Sequence, residues 1–391
     1  MTQSDNSILI LGTRGIPAQH GGFETFAEHL ALYLVERGWN VSVYCQDEVP
    51  VVEQRITTED WRGIQRIRVR TASTGPRGTL DFDWHCVRDA ATRPGICLVL
   101  GYNSAIFLPD LRLRRRKVLT NMDGIEWMRP KWSPPVRAWF WINEWIAAWT
   151  SHRLVADHPL IADHLATRRS RSATVVIPYG GTPIERVPEA PVRSLGLKPG
   201  GYLVSIARIE PDNNIQTIVE AFSARRRGAT LVVLGQFRDD NPYHRVVRSV
   251  ASDEVVFPGP IYDTVITRSL RFHARAYMHG HTVGGTNPSL VEALWAGNAV
   301  VAHDNSYNRW TAGEAGVYFG DALSCDDAIS LILGDDALVA RCAKAARERA
   351  RSAFHWSDVL FAYERECILL LEGKTRTSEP APVHANIPRW T

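Results

Sequence analysis

The 391-residue sequence contains few cysteines, and they form no metal-binding or disulfide pattern. Its six cysteines lie far apart and show no CxxC spacing: Cys45, Cys86, Cys97, Cys325, Cys342 and Cys367. This scatter argues against a zinc site or a disulfide framework and is typical of a reducing cytosol. The sequence also lacks an apolar run long enough for a transmembrane helix, and its polar start "MTQSDN" lacks the basic region of a signal peptide. We therefore expect a cytoplasmic protein.

The chain also has almost no excess of charge of either sign. It contains 45 Lys and Arg against 42 Asp and Glu, which gives a net charge of +3. Because the chain is not a polycation, the composition provides no general case for a nucleic-acid partner. Its hydrophobic fraction of 45% is ordinary for a globular protein, and its length suffices for two domains with separate cores.

Strand signals alternate with helix signals in two successive cycles. The first cycle runs from "SILILG" to "ATVVIP" (173–178), and the second runs from "YLVSIARI" (202–209) to "GVYFG" (316–320). This alternation predicts an α/β fold with two Rossmann-like domains, each a mostly parallel sheet covered by helices, facing across a cleft.

The domain boundaries follow from composition. A stretch rich in Pro and Gly, residues 182–201, predicts a linker. We expect a first domain at 1–181, completed by a helix at 356–373, and a second domain at 182–355. Residues 374–391 have the composition of a disordered tail.

A glycine-rich loop connects the first predicted strand to the first predicted helix in "ILGTRGIPAQHGGFETFAEHL". The glycines could serve a turn that needs positive φ. Alternatively, Gly21 and Gly22 let the backbone approach an anionic ligand at the N-terminus of the helix. The loop lacks the Gly-Lys-Ser/Thr of a Walker A sequence.

A second glycine loop opens a helix in "HTVGGTNPSLVEALWAGNAVVAHD" (281–304). Asn287 suits the N-cap of this helix, and Pro288 suits its first position. Glu292 then lies slightly more than one turn into the helix. It is either a solvated helix residue or a carboxylate that accepts hydrogen bonds from a ribose diol.

Arg208 follows a predicted strand in "SIARIEPDNNI" (205–215). A guanidinium at this place can make two charge-assisted bonds to phosphate oxygens. The alternative is a surface ion pair with Glu210 or Asp212.

Together, these motifs resemble glycosyltransferase family 4, whose members have the GT-B architecture. The segments "GTRGIPAQHGGFETFAEHL", "DGIEWMR", "ARIEPDNN" and "HGHTVGGTNPSLVEA" are similar to the bacterial polysaccharide rhamnosyltransferase-type subgroup. The resemblance covers nearly the whole chain up to the tail. It implies a C-terminal helix, beginning near Trp356, that crosses back to the first domain.

The resemblance also implies roles for individual residues. Arg208 matches the residue that neutralises the donor diphosphate, and Glu292 matches the glutamate that holds the ribose. The family's lysine is absent, since Asn213 stands there, and its first glutamate is replaced by Gly284. The implied donor-binding residues are Gly21, Gly22, Gly285, Thr286, Asn287, Ser289, Leu290 and Glu292.

By this resemblance, the reaction is retaining and needs no metal or cofactor beyond the donor. The donor is a nucleotide sugar, dTDP-rhamnose or a UDP-sugar, and the acceptor is a lipid-linked saccharide. Arg208 meets the charge on the leaving diphosphate, and Asp123 and Glu126 in "MDGIEW" position the acceptor or assist as a base. The motif "DFD" (81–83) is interpreted as a chance match to a metal clamp, in a loop.

Six of the 13 tryptophans fall between Trp127 and Trp149, just after the basic run "RLRRRK" (112–117). This segment is either an aromatic helix packed on its own domain or an element that binds the cytoplasmic membrane surface.

Two other functions remain open. A nucleotide-sugar 2-epimerase shares the architecture, and a non-catalytic nucleotide-sugar-binding protein would fit the departures at Asn213 and Gly284. His20 and His158 are further candidates for the cleft, although a single histidine is more often structural.

Overall fold

The computed structural model describes residues 6–19, 21–47 and 54–374, which form two compact units. The first unit contains the described residues up to Met128, then Trp132–Pro178, and the described residues from Ser357 onward. The second unit contains Tyr179–Trp356 together with the short segment Arg129–Lys131. His20 and residues 48–53 therefore lie outside the described residues. Of the predicted tail, only Lys374 is described.

The first unit is built on an eight-stranded sheet with the order β3-β4-β2-β1-β5-β6-β7-β8. Its strands are β1 (Ser7–Leu11), β2 (Asn40–Asp47), β3 (Ile56–Trp61), β4 (Ile64–Arg70), β5 (Ile96–Leu100), β6 (Lys117–Asn121), β7 (Arg153–Ala156) and β8 (Thr174–Val176). Its helices include α1 (Gly22–Glu36), α2 (Gly75–Ala90), α3 (Pro109–Leu113), α4 (Pro134–Thr150) and α5 (Pro159–Leu165). Parallel pairing joins all neighbouring strands except β3 and β4, which are antiparallel.

The second unit has a six-stranded parallel sheet with the order β11-β10-β9-β12-β13-β14. Its strands are β9 (Tyr202–Ile206), β10 (Thr230–Leu234), β11 (Val255–Gly259), β12 (Ala276–His279), β13 (Ala299–His303) and β14 (Gly316–Phe319). Its helices are α6 (Ala190–Ser194), α7 (Ile215–Ser223), α8 (Pro242–Ser249), α9 (Thr264–Phe272), α10 (Pro288–Trp295), α11 (Ser306–Ala312), α12 (Ala322–Gly334) and α13 (Asp336–Ala353).

The C-terminal helix α14 (Trp356–Leu371) packs on the first unit, as expected. Glu366 is fully buried and lies 2.9 Å from the buried guanidinium of Arg153 at the start of β7. Two residues earlier, the carboxylate of Glu364 accepts hydrogen bonds from the side chains of Tyr33, Arg37 and Trp39, which lie on or just after α1. These polar contacts specify how α14 docks.

One element was missed and one expectation about local structure is wrong. The strand β3 ("ITTEDW") was not predicted, because an exposed edge strand with charged residues lacks the buried apolar pattern. The motif "DFD" lies inside α2 and not in a loop. Within the described part of the chain, no helix combines the length and apolar character that a membrane span requires.

The strand order reverses once in each sheet, and this positions the candidate sites. In the first sheet the reversal lies between β1 and β5, and in the second it lies between β9 and β12. In open parallel sheets, ligands bind beyond the carboxyl ends of the strands at such a reversal.

Candidate functional site

The first glycine loop leaves β1 at the strand reversal of the first sheet. Gly12 has a φ of +82°, and a Cβ there would lie only 2.2 Å from the carbonyl oxygen of Leu100 at the end of β5. Gly21 caps α1 with a φ of +96°, and Gly22 is the first residue of that helix. The turn interpretation therefore accounts for Gly12 and Gly21, while the ligand role of Gly21 and Gly22 stays a prediction.

Two glutamates of α1 hold this loop, and the sequence analysis did not single them out. Glu24 Oε1 accepts from the backbone N–H of Arg14 at 3.2 Å, and Glu28 Oε2 accepts from that of Ala18 at 2.6 Å. Both carboxylates place negative charge near the N-terminus of α1, which opposes a phosphate there. The loop is better suited to a hydroxyl-bearing ligand.

A cavity of about 300 Å³ opens beside the same loop, where β1 and β5 end. Its lining includes Gly12, Thr13, Gly101 and the carboxylate of Asp83, which accepts a hydrogen bond from Ser104 Oγ at 2.5 Å. Burial raises the pKa of Asp83 to about 6, against the opposing effect of the Ser104 bond. Asp83 thus offers a hydrogen-bonding carboxylate to a sugar hydroxyl.

Asp123 and Glu126 follow β6 in the first unit, as the sequence indicates. Asp123 has a φ of +53°, and its N–H donates to Asn121 Oδ1 at 2.9 Å. The N–H of Glu126 donates to the Tyr102 hydroxyl at 2.9 Å, and Glu126 Oε2 accepts from Trp132 Nε1 at 3.4 Å. Side chains of the first unit therefore hold both residues in place, and their role in positioning the acceptor stays a prediction.

His158 is buried at the N-cap of α5 and has a structural contact there. Its Nδ1 accepts from the backbone N–H of Leu160 at 3.1 Å. This cap satisfies one N–H of the helix N-terminus. His20, the other histidine candidate, lies outside the described residues.

Arg208 lies just beyond β9, at the strand reversal of the second sheet. Its side chain is exposed, and no carboxylate in the described residues lies within ion-pair distance of its guanidinium. Its carbonyl accepts from Asn213 Nδ2 at 2.8 Å, and Asn213 is buried. The position at which the resemblance places a lysine thus holds the Arg208 backbone and contributes no charge.

Two further cations lie near Arg208, although they are far from it in sequence. Arg129 Nη1 donates to Asp212 Oδ2 at 2.8 Å, and both side chains are largely buried. Burial lowers the pKa of Lys131 below its ordinary value, and the positive charges of Arg208 and Arg129 lower it further. We call Arg129, Lys131 and Arg208 the basic cluster.

The same charges act on His281, at the start of the second glycine loop. Burial, followed by the charges of Arg129 and Arg208, lowers the pKa of His281 to about 3. Its ring stacks on that of His279, with centroids 4.3 Å apart. His281 is therefore neutral at physiological pH and adds no positive charge to the basic cluster.

Hydrogen bonds hold the second glycine loop and α10 beside Arg208. The N–H of Thr282 donates to the Asp212 carbonyl at 2.9 Å, and Ser289 Oγ donates to the Ile206 carbonyl at 3.1 Å. The prediction for the helix start is confirmed: Asn287 Oδ1 accepts from the N–H of Ser289 at 3.0 Å, and proline opens the helix. Arg208, the glycine loop and the N-terminus of α10 thus converge at one edge of the sheet.

Several predicted donor-binding residues also have structural contacts. Ser289 Oγ accepts from Arg271 Nη2 at 3.0 Å and lies 2.6 Å from the Tyr277 hydroxyl, while Leu290 and Thr286 are buried. Gly285 is partly exposed in the loop. Their contacts with a donor stay a prediction.

The backbone conformation explains why glycine stands at position 284, where the resemblance places a glutamate. Gly284 has a φ of +130°, although a Cβ there would meet nothing within 4 Å. This conformation favours glycine over any residue with a side chain. The loop of this chain is therefore built around Gly284, and a glutamate at that position would strain it.

Glu292 contacts a buried arginine at the end of α9. Its Oε2 lies 2.6 Å from Arg271 Nη2, and 41% of the Glu292 side chain is exposed while only 5% of the Arg271 side chain is. The carboxylate is thus half-exposed and paired, and its contact with a ribose stays a prediction. The ion pair fixes the direction of the carboxylate, which is a requirement for binding a ribose diol.

We expect Glu292→Gln to weaken donor binding by about tenfold or more, because a charged hydrogen bond contributes about 1.5–3 kcal/mol. The fold should persist, since glutamine can still accept a bond from Arg271. Calorimetric titration with a nucleoside diphosphate measures the change. The matched control is Glu314→Gln, elsewhere in the second unit. Unchanged affinity for Glu292→Gln would remove this residue from the site.

Comparison with known proteins supports the fold. A family described as "Domain of unknown function (DUF1972)" matches residues 5–182. No curated protein sequence matches the chain. A solved sucrose-phosphate synthase from Thermosynechococcus elongatus is similar over 94% of this chain and 100% of its own, with a TM-score of 0.78 and 18% identity.

Two further structures show the same similarity. An α,α-trehalose-phosphate synthase (UDP-forming) from Burkholderia xenovorans, solved with glucose-6-phosphate, has a TM-score of 0.71 and 12% identity, covering 93% of this chain and 100% of its own. Anabaena Alr3699/HepE, solved with UDP, has a TM-score of 0.69 and 14% identity, covering 92% and 99%. The fold is GT-B. At these identities, the GT-B similarity establishes the architecture and leaves substrates to be argued from the site.

Proposed function

We propose that the protein is a glycosyltransferase that moves a sugar from a nucleoside-diphosphate sugar to an acceptor hydroxyl. The observation that carries this proposal is the convergence of the basic cluster, which includes Arg208, and the N-terminus of α10 at the β9/β12 reversal. Cations and helix N–H groups stabilise the charge on a departing diphosphate. The structural neighbours support a donor of this class, since HepE was solved with UDP and with UDP and glucose.

The roles of the other residues follow from this reaction. Glu292 binds the ribose, and Asp123, Glu126 and Asp83 bind or orient the acceptor. The reaction is retaining, rhamnose is the favoured sugar, and the acceptor is a lipid-linked saccharide of a surface polysaccharide. The retaining outcome, the sugar, the acceptor class and the role of Glu292 rest on the resemblance to glycosyltransferase family 4, whereas the roles of Asp123, Glu126 and Asp83 rest on their positions in the first unit.

A panel of dTDP- and UDP-sugars, incubated with a membrane lipid extract, tests the proposal. We expect one donor to release free nucleoside diphosphate and to label a lipid. An epimerase would instead change the donor sugar without labelling lipid, and a binding protein would show a heat of binding without turnover. Either of these outcomes would replace the proposed activity.

We also infer that the first unit binds an anionic membrane surface, where a lipid-linked acceptor would be found. On α4, Trp141, Ile142 and Trp149 are exposed. By contrast, Trp127, which precedes this helix, donates a hydrogen bond to Glu144, and Trp139 donates one to the Asn103 carbonyl. The basic run lies next to this face, because Arg112 hydrogen-bonds His152, just after α4. Leu113, in the same run, is 81% exposed.

Exposed tryptophans beside arginines favour the headgroup region of a bilayer. We expect co-sedimentation with vesicles that contain anionic lipid. Replacing Arg114, Arg115 and Arg116 together by Ser should reduce binding by at least tenfold, and Trp149→Ser should reduce it further. The control is Leu323→Ser, since Leu323 is 79% exposed on the second unit. Equal sedimentation of all variants would contradict a membrane role for this face.

A further inference from the structure

Two cavities of the first unit adjoin each other at the loop that follows β1. The cavity beside Asp83 has a volume of about 300 Å³, and the second has a volume of about 420 Å³. The second cavity is lined by residues of this loop, of α1, of β2 and of β4. Because Arg14, Glu24 and Gln46 line both cavities, the two spaces lie side by side, and one ligand can extend from one into the other.

Three arginines line the second cavity, which we call the arginine cavity: Arg14, Arg66 and Arg68. Arg66 and Arg68 lie two positions apart on β4, so their side chains leave the same face of the sheet. Glu59 on the neighbouring strand β3 holds both, since its Oε1 lies 2.7 Å from Arg66 Nη1 and 2.7 Å from Arg68 Nε. One carboxylate oxygen thus fixes two guanidinium groups, and within the described residues most of their N–H donors make no other hydrogen bond.

The backbone of Arg14 is held on both sides, while its side chain is exposed. Its N–H donates to Glu24 Oε1 at 3.2 Å, and its carbonyl accepts from the N–H of Gln46 at 2.9 Å. A Cβ at Gly15 would lie 2.8 Å from Cys45 Sγ, so the loop packs directly on β2. The guanidinium of Arg14 therefore stands at the boundary between the two cavities, and it forms no ion pair with a described carboxylate.

The described lining of the arginine cavity is rich in positive charge. Glu24 is its carboxylate, against three guanidinium groups. Asp47 adds a longer contact at 3.7 Å from Arg68 Nη1, and Nε of Arg66 is buried without an acceptor among the described residues. Glu59 and Asp47 therefore leave part of the hydrogen-bonding capacity of these arginines unused, and an anionic ligand can accept from them.

We propose that the first unit binds an acceptor sugar that carries a phosphate group, with the sugar hydroxyls at Asp83 and the phosphate in the arginine cavity. Asp83 Oδ2 accepts from Ser104 Oγ at 2.5 Å, and its Oδ1 has no donor within the described residues, so Oδ1 can accept from a sugar hydroxyl. Arg14 binds the phosphate together with Arg66 and Arg68. This inference rests on the proposed function, because it states the chemical class of the acceptor.

A phosphate suits the arginine cavity better than a carboxylate does. A phosphate monoester offers three strong acceptor oxygens, and guanidinium groups from two different segments of the chain can bind them at once. The phosphate contacts these side chains and not the N-terminus of α1, where Glu24 and Glu28 add negative charge. A free sugar phosphate and a sugar joined to a lipid through a diphosphate share this chemistry, so both sources are tested.

Calorimetric titration of the full chain tests this inference. The ligands are glucose, galactose and N-acetylglucosamine, each as the free sugar and as its 1-phosphate, with inorganic phosphate as a probe for the arginine cavity alone. We expect a phosphorylated sugar to bind at least tenfold more tightly than its free sugar. A second titration uses neutral vesicles that carry the same sugars on a polyprenyl diphosphate, and an acceptor that must be lipid-linked binds only in this form.

Arg14→Met should weaken binding of the phosphorylated sugar by about tenfold or more, as expected for the loss of a charge-assisted bond, and leave the free sugar unaffected. Asp83→Asn should weaken the phosphorylated and the free sugar alike, but not inorganic phosphate. Since Arg14 makes no ion pair within the described residues, the melting temperature of Arg14→Met should match that of the wild type. The control is Arg62→Met in the exposed turn between β3 and β4, which should bind every ligand as the wild type does.

The outcomes separate this inference from the proposed function. Binding of a phosphorylated sugar in soluble or lipid-linked form, weakened by Arg14→Met, supports the inference and identifies the source. Three results overturn it: no sugar of either panel binds, a free sugar binds as tightly as its phosphorylated form, or Arg14→Met binds as the wild type does. If the protein still releases UDP or dTDP from a nucleotide sugar in those cases, the proposed function stands. If it neither turns over nor binds a nucleotide sugar, the proposed function fails.

Discussion

Arg208→Ala should reduce sugar transfer by about 100-fold or more, the loss typical when a group that stabilises developing charge is removed. The exposed Arg208 side chain makes no ion pair within the described residues, so its removal should leave the fold intact. The loss should appear in kcat more than in KM, because the charge on the diphosphate grows as the sugar departs. Steady-state release of nucleoside diphosphate measures both constants.

Two variants control this experiment. Arg208→Lys keeps the charge but loses the two-pronged hydrogen bonding of a guanidinium, so it should recover part of the lost rate. Arg226→Ala removes another exposed arginine of the second unit, whose partner is Asp253 at 2.8 Å, and should leave the rate unchanged. A normal kcat for Arg208→Ala at an unchanged melting temperature would show that the diphosphate binds elsewhere.

Glu366→Ala should lower the free energy of unfolding of the first unit by about 3–5 kcal/mol, the range for breaking one side of a buried ion pair. Both Glu366 and its partner are almost fully buried, and Arg153 Nε donates to Glu366 Oε2 at 2.9 Å. The truncation leaves the guanidinium of Arg153 buried without that carboxylate. Since α14 is joined to β7 by this pair, the helix should also become more accessible to protease.

Urea unfolding followed by tryptophan fluorescence measures this change, because nine of the 12 tryptophans that the structure describes belong to the first unit. The control is Glu372→Ala just beyond α14, where an exposed pair with Lys374 at 2.7 Å should contribute about 0–1 kcal/mol. The double variant Arg153→Met with Glu366→Leu should recover most of the lost stability. A cost for Glu366→Ala no larger than that of the control would contradict a buried pair.

The interpretation of the first glycine loop changes with the structure. A strand followed by glycines and a helix predicts an anion site, and the sequence places β1, the loop and α1 correctly. However, Glu24 and Glu28 accept N–H bonds from the loop and add negative charge there. The conformation of the loop decides which side chains of α1 can hydrogen-bond to it. The apolar periodicity of the helix sequence carries no information about that conformation.

The candidate site of the second unit also combines features that the sequence predicts with contacts that it does not. Asn287 and Pro288 predict the start of α10 because helix caps are local, and the structure confirms them. The partner of Glu292 was not predictable, since Arg271 is 21 positions away and reaches it only through the packing of α9 beside α10. The sequence also raised an ion pair of Arg208 with Asp212, whereas Asp212 pairs with Arg129.

By itself, the sequence determined the alternation of strands and helices, the two cycles that become two parallel sheets, and the capped start of α10. These features depend on residues close together in the chain, where periodicity, glycine and proline act directly. Only the tertiary structure decided that the Arg129–Lys131 segment joins the second unit, that Asn213 holds the Arg208 backbone, and that Glu366 meets Arg153. Those contacts join residues that are distant in sequence or depend on the shape of a loop, so local patterns of apolar residues, glycine and proline do not specify them.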